Sequence, residues 1–149
     1  MTQTDEDASR ILRGAIPPIF RSIIAVSAGL FIGGIATVGV ESLGHILVPP
    51  PRELDPANAE SVRAVMATMP AANFLPILFA YLIGPTVGAA LTARMAPSRP
   101  LVHAGIVGAF FLAGGVKNFS DLPHPFWFIA LSIGAFIAAP ILGTRLAGR

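Results

Sequence analysis

Four stretches of the chain, residues 22–40, 74–93, 101–116 and 125–144, contain no Asp, Glu, Lys or Arg. Each is 16 to 20 residues long. At a helical rise of about 1.5 Å per residue, such a stretch spans or nearly spans a hydrocarbon core of roughly 30 Å. In lipid no water is available to backbone N–H and C=O groups, so each stretch must satisfy them internally as a helix. Buried helices of a soluble protein would carry polar outer faces, and these have almost none. Charged residues make up 12% of the chain, against about a quarter in soluble domains. The expectation is an all-α polytopic membrane protein, one domain of 149 residues folded as an antiparallel four-transmembrane-helix bundle.

Prolines punctuate this plan. The first helix is expected over about 18–48, opening at Pro18 and ended by Pro49-Pro50-Pro51. The others are expected over 73–94, 101–119 and 125–144, with a kink at Gly84-Pro85. Met1–Asp7 reads as a disordered tail, and residues 8–20 as an interfacial segment carrying Arg10 and Arg13. The loop 49–72 is the only long one. Within it Asp55-Pro56 offers an N-cap and first helical residue, and Val62, Val65, Met66 and Met69 recur at helical spacing. A short amphipathic helix lying on the membrane or capping the bundle follows from that pattern. Phe126-Trp127-Phe128 reads as an aromatic belt where the last helix leaves the headgroups. Ala80–Gly84 aligns with Ala130–Gly134, which suggests a parallel duplication, although Gly- and Ala-rich helices match one another easily by chance.

Lys and Arg set the expected orientation. Seven (Arg10, Arg13, Arg21, Arg94, Arg99, Arg145 and Arg149) fall on the side of the two termini, and three (Arg52, Arg63 and Lys117) on the other. Both termini are therefore expected in the cytoplasm of a bacterium, with the chain in the inner membrane and the loop 49–72 in the periplasm. The basic pI of about 9.9 comes from these helix-end arginines rather than from a patch, so no nucleic-acid partner is expected. The expected partner is the lipid bilayer. There is no cysteine, which removes disulfide exchange, thiolate catalysis, Cys-type metal sites and palmitoylation. No phosphate-cradling loop or nucleophile motif is present either, and no cofactor is expected.

One pair breaks the apolar pattern. Glu41 and His45 lie four residues apart near the end of the first long run, hence on one helix face. On a helical wheel Glu41 shares an arc of about 100° with Gly33, Gly34, Thr37 and Gly44. Small residues let helix backbones approach closely, so Gly33 and Gly34, with Gly84 and Gly88 on the second helix, are the expected packing positions. Phe31, Ile32, Ile35, Val38 and Ile46 occupy the lipid side; Gly39 also falls there and does not fit the scheme. Lys117, Asn118, Asp121 and His124 fall toward the same outer end as Glu41 and His45. His103, near the opposite surface, reads as an interfacial residue without chemistry.

Three functions suit this cluster. In the first, Glu41 pairs with Lys117, the only lysine, and locks the first helix to the third in a structural or accessory protein. In the second, Glu41 serves a homo-oligomeric transporter of cations or small molecules. In the third, Glu41, His45 and His124 bind a metal, as an enzyme would require. Counting from Pro49, Glu41 sits about 12 Å inside the outer end of its helix, away from the midplane where carriers bind substrate.

The motifs Val40-Glu41-Ser42-Leu43-Gly44-His45 before Pro49-Pro50, and Pro123-His124-Pro125-Phe126-Trp127-Phe128 before the last helix, resemble those of a widespread bacterial family of small four-helix membrane proteins. The resemblance covers about residues 20–146. It implies the same topology and marks the same residues, and it supplies no mechanism. Chain size and helix count are also similar to the small multidrug-resistance transporters, which use one membrane-embedded Glu in their first helix. Here Glu41 lies late in its helix, and the aromatic pattern of that family is not evident.

Overall fold

The computed structural model describes residues 16–49, 55 and 57–149. The expectations for Met1–Asp7, for Arg10 and Arg13, and for Pro50, Pro51, Arg52 and Pro56 lie outside the described residues. Those residues form five helices: α1 Pro18–Leu47, α2 Ala59–Ala67, α3 Ala71–Met95, α4 Pro100–Asp121 and α5 Phe126–Leu146. Helices α1, α3, α4 and α5 are long and apolar enough to cross a membrane. Proline opens α1 and α4, where its missing N–H costs nothing. The fold is an all-helical membrane bundle of four long helices, with the short α2 outside it.

The centre of the bundle is α3. It packs most extensively on α1, then on α5 and α4; α1 touches α4 only slightly and α5 not at all. Helices joined by short turns run antiparallel, and α3 and α5 run parallel. The Phe74 and Phe128 rings lie 5.2 Å apart at one end, and Arg94 donates to the Leu146 carbonyl at the other. The first and last helices are therefore not neighbours, as a closed ring of four would make them.

Glycine explains the dominant α1–α3 seam. A Cβ on Gly33 would lie 3.0 Å from the Gly84 carbonyl oxygen and 3.2 Å from the Gly88 Cα; one on Gly84 would lie 2.8 Å from the Gly33 oxygen. Backbones this close exclude any side chain, and close van der Waals packing is the main attraction between helices in lipid. Each end of the seam is pinned by a buried polar group. Thr92 Oγ1 donates to the Ala25 carbonyl at 3.1 Å. Asn73 donates through Nδ2 to the Val48 and Pro49 carbonyls at 3.2 and 2.9 Å, which the end of α1 would otherwise leave unpaired.

Several expectations need correction. Gly34 is not a packing residue: nothing lies within 4 Å of a Cβ built on it. One residue beyond Gly33 turns it by about 100°, out of the seam and toward lipid. It shares that open side with Gly39, Phe31, Ile35 and Val38. Helix α4 continues to Asp121 rather than ending near Phe119, because nothing in the sequence stops it before Pro123. The aromatic belt is split: Phe126 is 84% exposed, while Phe128 is fully buried in the core beside Phe74 and Met66. Nor do the aligned segments share an environment. Ala80 and Gly84 are buried in the α1–α3 seam, whereas Ala130 is exposed and Gly134 has open space around it.

Candidate functional site

At the end of the bundle capped by α2, a cavity of about 210 Å³ collects side chains from four of the five helices and from the turn after α4. Helix α1 supplies Glu41 and His45, and α3 supplies Ile77 and Tyr81. Asn118 comes from α4, and Leu122 and His124 from the turn that follows. Val62, Met66 and Met69 close the top.

The roof forms for local reasons. The Asn58 side chain accepts from the N–H groups of Glu60 and Ser61 at 3.0 and 3.2 Å, so it is Asn58 that caps α2. The expected cap, Asp55, instead accepts from the Ala57 N–H at 3.0 Å in a turn before the helix. The backbone of α2 stands clear of the long helices, so the roof rests on side chains. Met66 is buried against Phe74, Ile77 and Phe128. Arg63 Nε donates to the Asp121 carbonyl at 3.1 Å, taking up one of the carbonyls at the end of α4.

Inside, Asn118 Nδ2 donates to the Tyr81 hydroxyl at 2.8 Å. That bond uses a lone pair of the hydroxyl and leaves its proton available to another acceptor. His124 Nδ1 lies 2.9 Å from the Leu122 carbonyl oxygen. A carbonyl can only accept, so Nδ1 carries the proton and Nε2 of the neutral ring is an acceptor. The ring stacks on Phe128 at 5.2 Å and 11° and meets the edge of Phe119. Burial among these aromatics holds its pKa below the ordinary histidine value, outweighing the opposing effect of the Leu122 hydrogen bond. Glu41 and His45, both half-buried, form no hydrogen bond or ion pair among the described residues.

The expected cluster is thus divided. Glu41, His45, Asn118 and His124 share the cavity, and Lys117 and Asp121 do not. Lys117 pairs with Asp121, one turn along α4, and their side chains are 74% and 52% exposed. The expected Glu41–Lys117 lock is not formed, because the rotation that turns Asn118 inward carries Lys117 out. Such an exposed pair within one helix contributes little to stability. Among the described residues no three His, Asp or Glu side chains are grouped closely enough to hold an ion together.

One site residue escaped the sequence reading. Tyr81 is the single tyrosine, placed in a charge-free helix where its hydroxyl requires a partner, and that was the available signal. His103 also has a role in packing, since its Nε2 lies 2.8 Å from Ser22 Oγ and joins α4 to α1.

Chemically, the cavity offers one carboxylate without a cation beside it among the described residues, an imidazole acceptor at His124, the Tyr81 hydroxyl, and an apolar wall of Val62, Met66, Met69, Ile77 and Leu122. A small ammonium with an apolar body suits the carboxylate and the imidazole acceptor through charge-assisted bonds, and its carbon suits the apolar wall. Compared with family models, with curated proteins and with solved structures, the chain finds no match.

Proposed function

We propose that this protein is a membrane-embedded binding protein for a small organic cation, held at Glu41 beneath the α2 roof. The observation that carries the reading is Glu41 itself: a carboxylate at the membrane end of a cavity, with Tyr81, Asn118 and His124 around it and no ion-pair partner among the described residues. A lone ionisable group at the centre of a membrane helix costs about 2.5–3.5 kcal/mol or more, and such groups mark functional sites. In this reading the bilayer is the bacterial inner membrane, both termini are cytoplasmic, and the roof faces the periplasm, in keeping with the seven-to-three split of Lys and Arg.

Carriage by a homo-oligomer would use the same carboxylate. Position favours binding, because Glu41 lies six residues before Leu47 at the end of α1, about 9 Å along the helix, whereas carriers bind near the midplane. The test is calorimetric titration of ethylammonium into the protein in lipid nanodiscs. Saturable one-to-one binding is expected, abolished by Glu41→Gln and unaffected by Lys117→Met. Absence of saturable binding to the unmodified chain, or its survival in Glu41→Gln, overturns the reading.

A further inference from the structure

We infer that the ligand is an amphiphile, with its ammonium group at Glu41 and its alkyl chain in a cleft between α1 and α4 that opens sideways into the bilayer. The inference rests on the reading of the Glu41 cavity as a cation site and extends it to the class of ligand.

A second, apolar cavity of about 240 Å³ shares Tyr81 with the first and is lined also by Leu30, Thr37, Phe111, Gly114 and Phe136 among others. Three helices carry the register between them. Thr37 precedes Glu41 on α1 by four residues, Tyr81 follows Ile77 on α3 by four, and Gly114 precedes Asn118 on α4 by four. Each step is about one turn, near 6 Å, and each leads from the apolar cavity to the polar one. Tyr81 borders both. Its hydroxyl is held by Asn118, which lines the polar cavity.

The cleft is open laterally. Of the long-helix pairs that touch, α1 and α4 pack least. Phe110 is 62% exposed, and no atom lies within 4 Å of where a Cβ on Gly114 would stand. A chain entering from lipid stays in apolar surroundings throughout, so only the head group exchanges solvent. There it meets the carboxylate that neutralises it, whereas an anionic head would be repelled by the same group. An aminolipid headgroup and a free alkylamine present this same chemistry.

A Cβ at Gly114 meets no neighbour, so Gly114→Leu places its larger apolar side chain in the cleft. It also replaces glycine by a better helix former, and unchanged butylamine binding reports that the variant is folded. The probes are dodecylamine, butylamine and dodecanol, added to the protein in nanodiscs, with concentrations expressed per lipid and binding read from thermal unfolding. Dodecylamine is expected to stabilise the unmodified protein, and dodecanol is not. Gly114→Leu is expected to weaken dodecylamine roughly tenfold and to leave butylamine unchanged, whereas Glu41→Gln loses both amines. Unchanged dodecylamine binding in Gly114→Leu, or dodecanol binding as well as dodecylamine, overturns the amphiphile inference while leaving the cation site intact. If neither amine binds, both readings fall. Native mass spectrometry separates the two sources. Phosphatidylethanolamine retained over phosphatidylglycerol, and stripped in Gly114→Leu, assigns the ammonium to a lipid; equal retention with intact dodecylamine binding assigns it to a free amine.

Discussion

Gly88→Ala and Gly34→Ala make the same chemical change inside and outside the main helix seam, and the structure gives them opposite signs. A methyl on Gly88 would be driven into the Gly29 carbonyl oxygen and would lie 3.2 Å from the Gly33 Cα, with backbone on both counts. Backbone cannot rotate away, so α1 and α3 must separate by several tenths of an ångström along their whole contact. Overpacking of this kind costs about 1–3 kcal/mol, against which alanine returns roughly 0.5–1 kcal/mol of helix propensity. On Gly34 the methyl meets nothing within 4 Å, so only the propensity gain remains. The two variants should therefore differ by about 1–3 kcal/mol in unfolding free energy, measured by equilibrium unfolding in mixed micelles. Gly88→Ala should also weaken ethylammonium binding, since parting α1 from α3 draws Glu41 from Tyr81. Equal stabilities of the two variants would refute the close-packed seam, and with it the reason for four backbone-to-backbone glycines.

Other consequences follow from single side chains. Asn73→Ala removes both bonds to the Val48 and Pro49 carbonyls; a loss of about 1–3 kcal/mol, with faster amide exchange at the end of α1, is expected. His124 has a folded-state pKa below its ordinary value, so the unfolded chain binds the proton more readily. Stability should then fall as pH drops below about 6.5 and level off once the buried ring is protonated. His124→Gln should remove that slope in unfolding measured between pH 7 and pH 5. Glu41→Gln and Lys117→Met should be additive in stability within about 0.5 kcal/mol, because the two groups do not pair; strong coupling in the double-mutant cycle would contradict the divided cluster.

The bundle could be read from the sequence because the bilayer leaves so few options. Charge-free runs of membrane length had to be helices, and Pro18 and Pro100 stand at two of their starts. The face of α1 was legible for a similar reason: Gly33 and Glu41 recur at helical spacing opposite Phe31, Ile35 and Val38. Neighbour identity was not legible. Gly33 and Gly34 are alike as residues, and only the position of α3 shows that one is pressed against backbone while the other faces lipid. The same holds for Lys117 and Asn118, adjacent in sequence and split by one helical step into an exposed ion pair and a cavity wall. Tyr81 was hidden by its surroundings, since a single hydroxyl barely alters the hydropathy of its helix. Where the roof begins depended on which of two capping residues, Asp55 or Asn58, took the first N–H groups of α2.

Infrared difference spectroscopy of Glu41 is the decisive experiment. With the protein in nanodiscs, addition of dodecylamine should shift a carboxylate stretching band, and the shift should vanish in Glu41→Gln while persisting in Lys117→Met and Asp121→Asn. A shift that survives Glu41→Gln, or one that disappears on changing Lys117, would place the cation elsewhere and contradict the assignment of the cavity to Glu41.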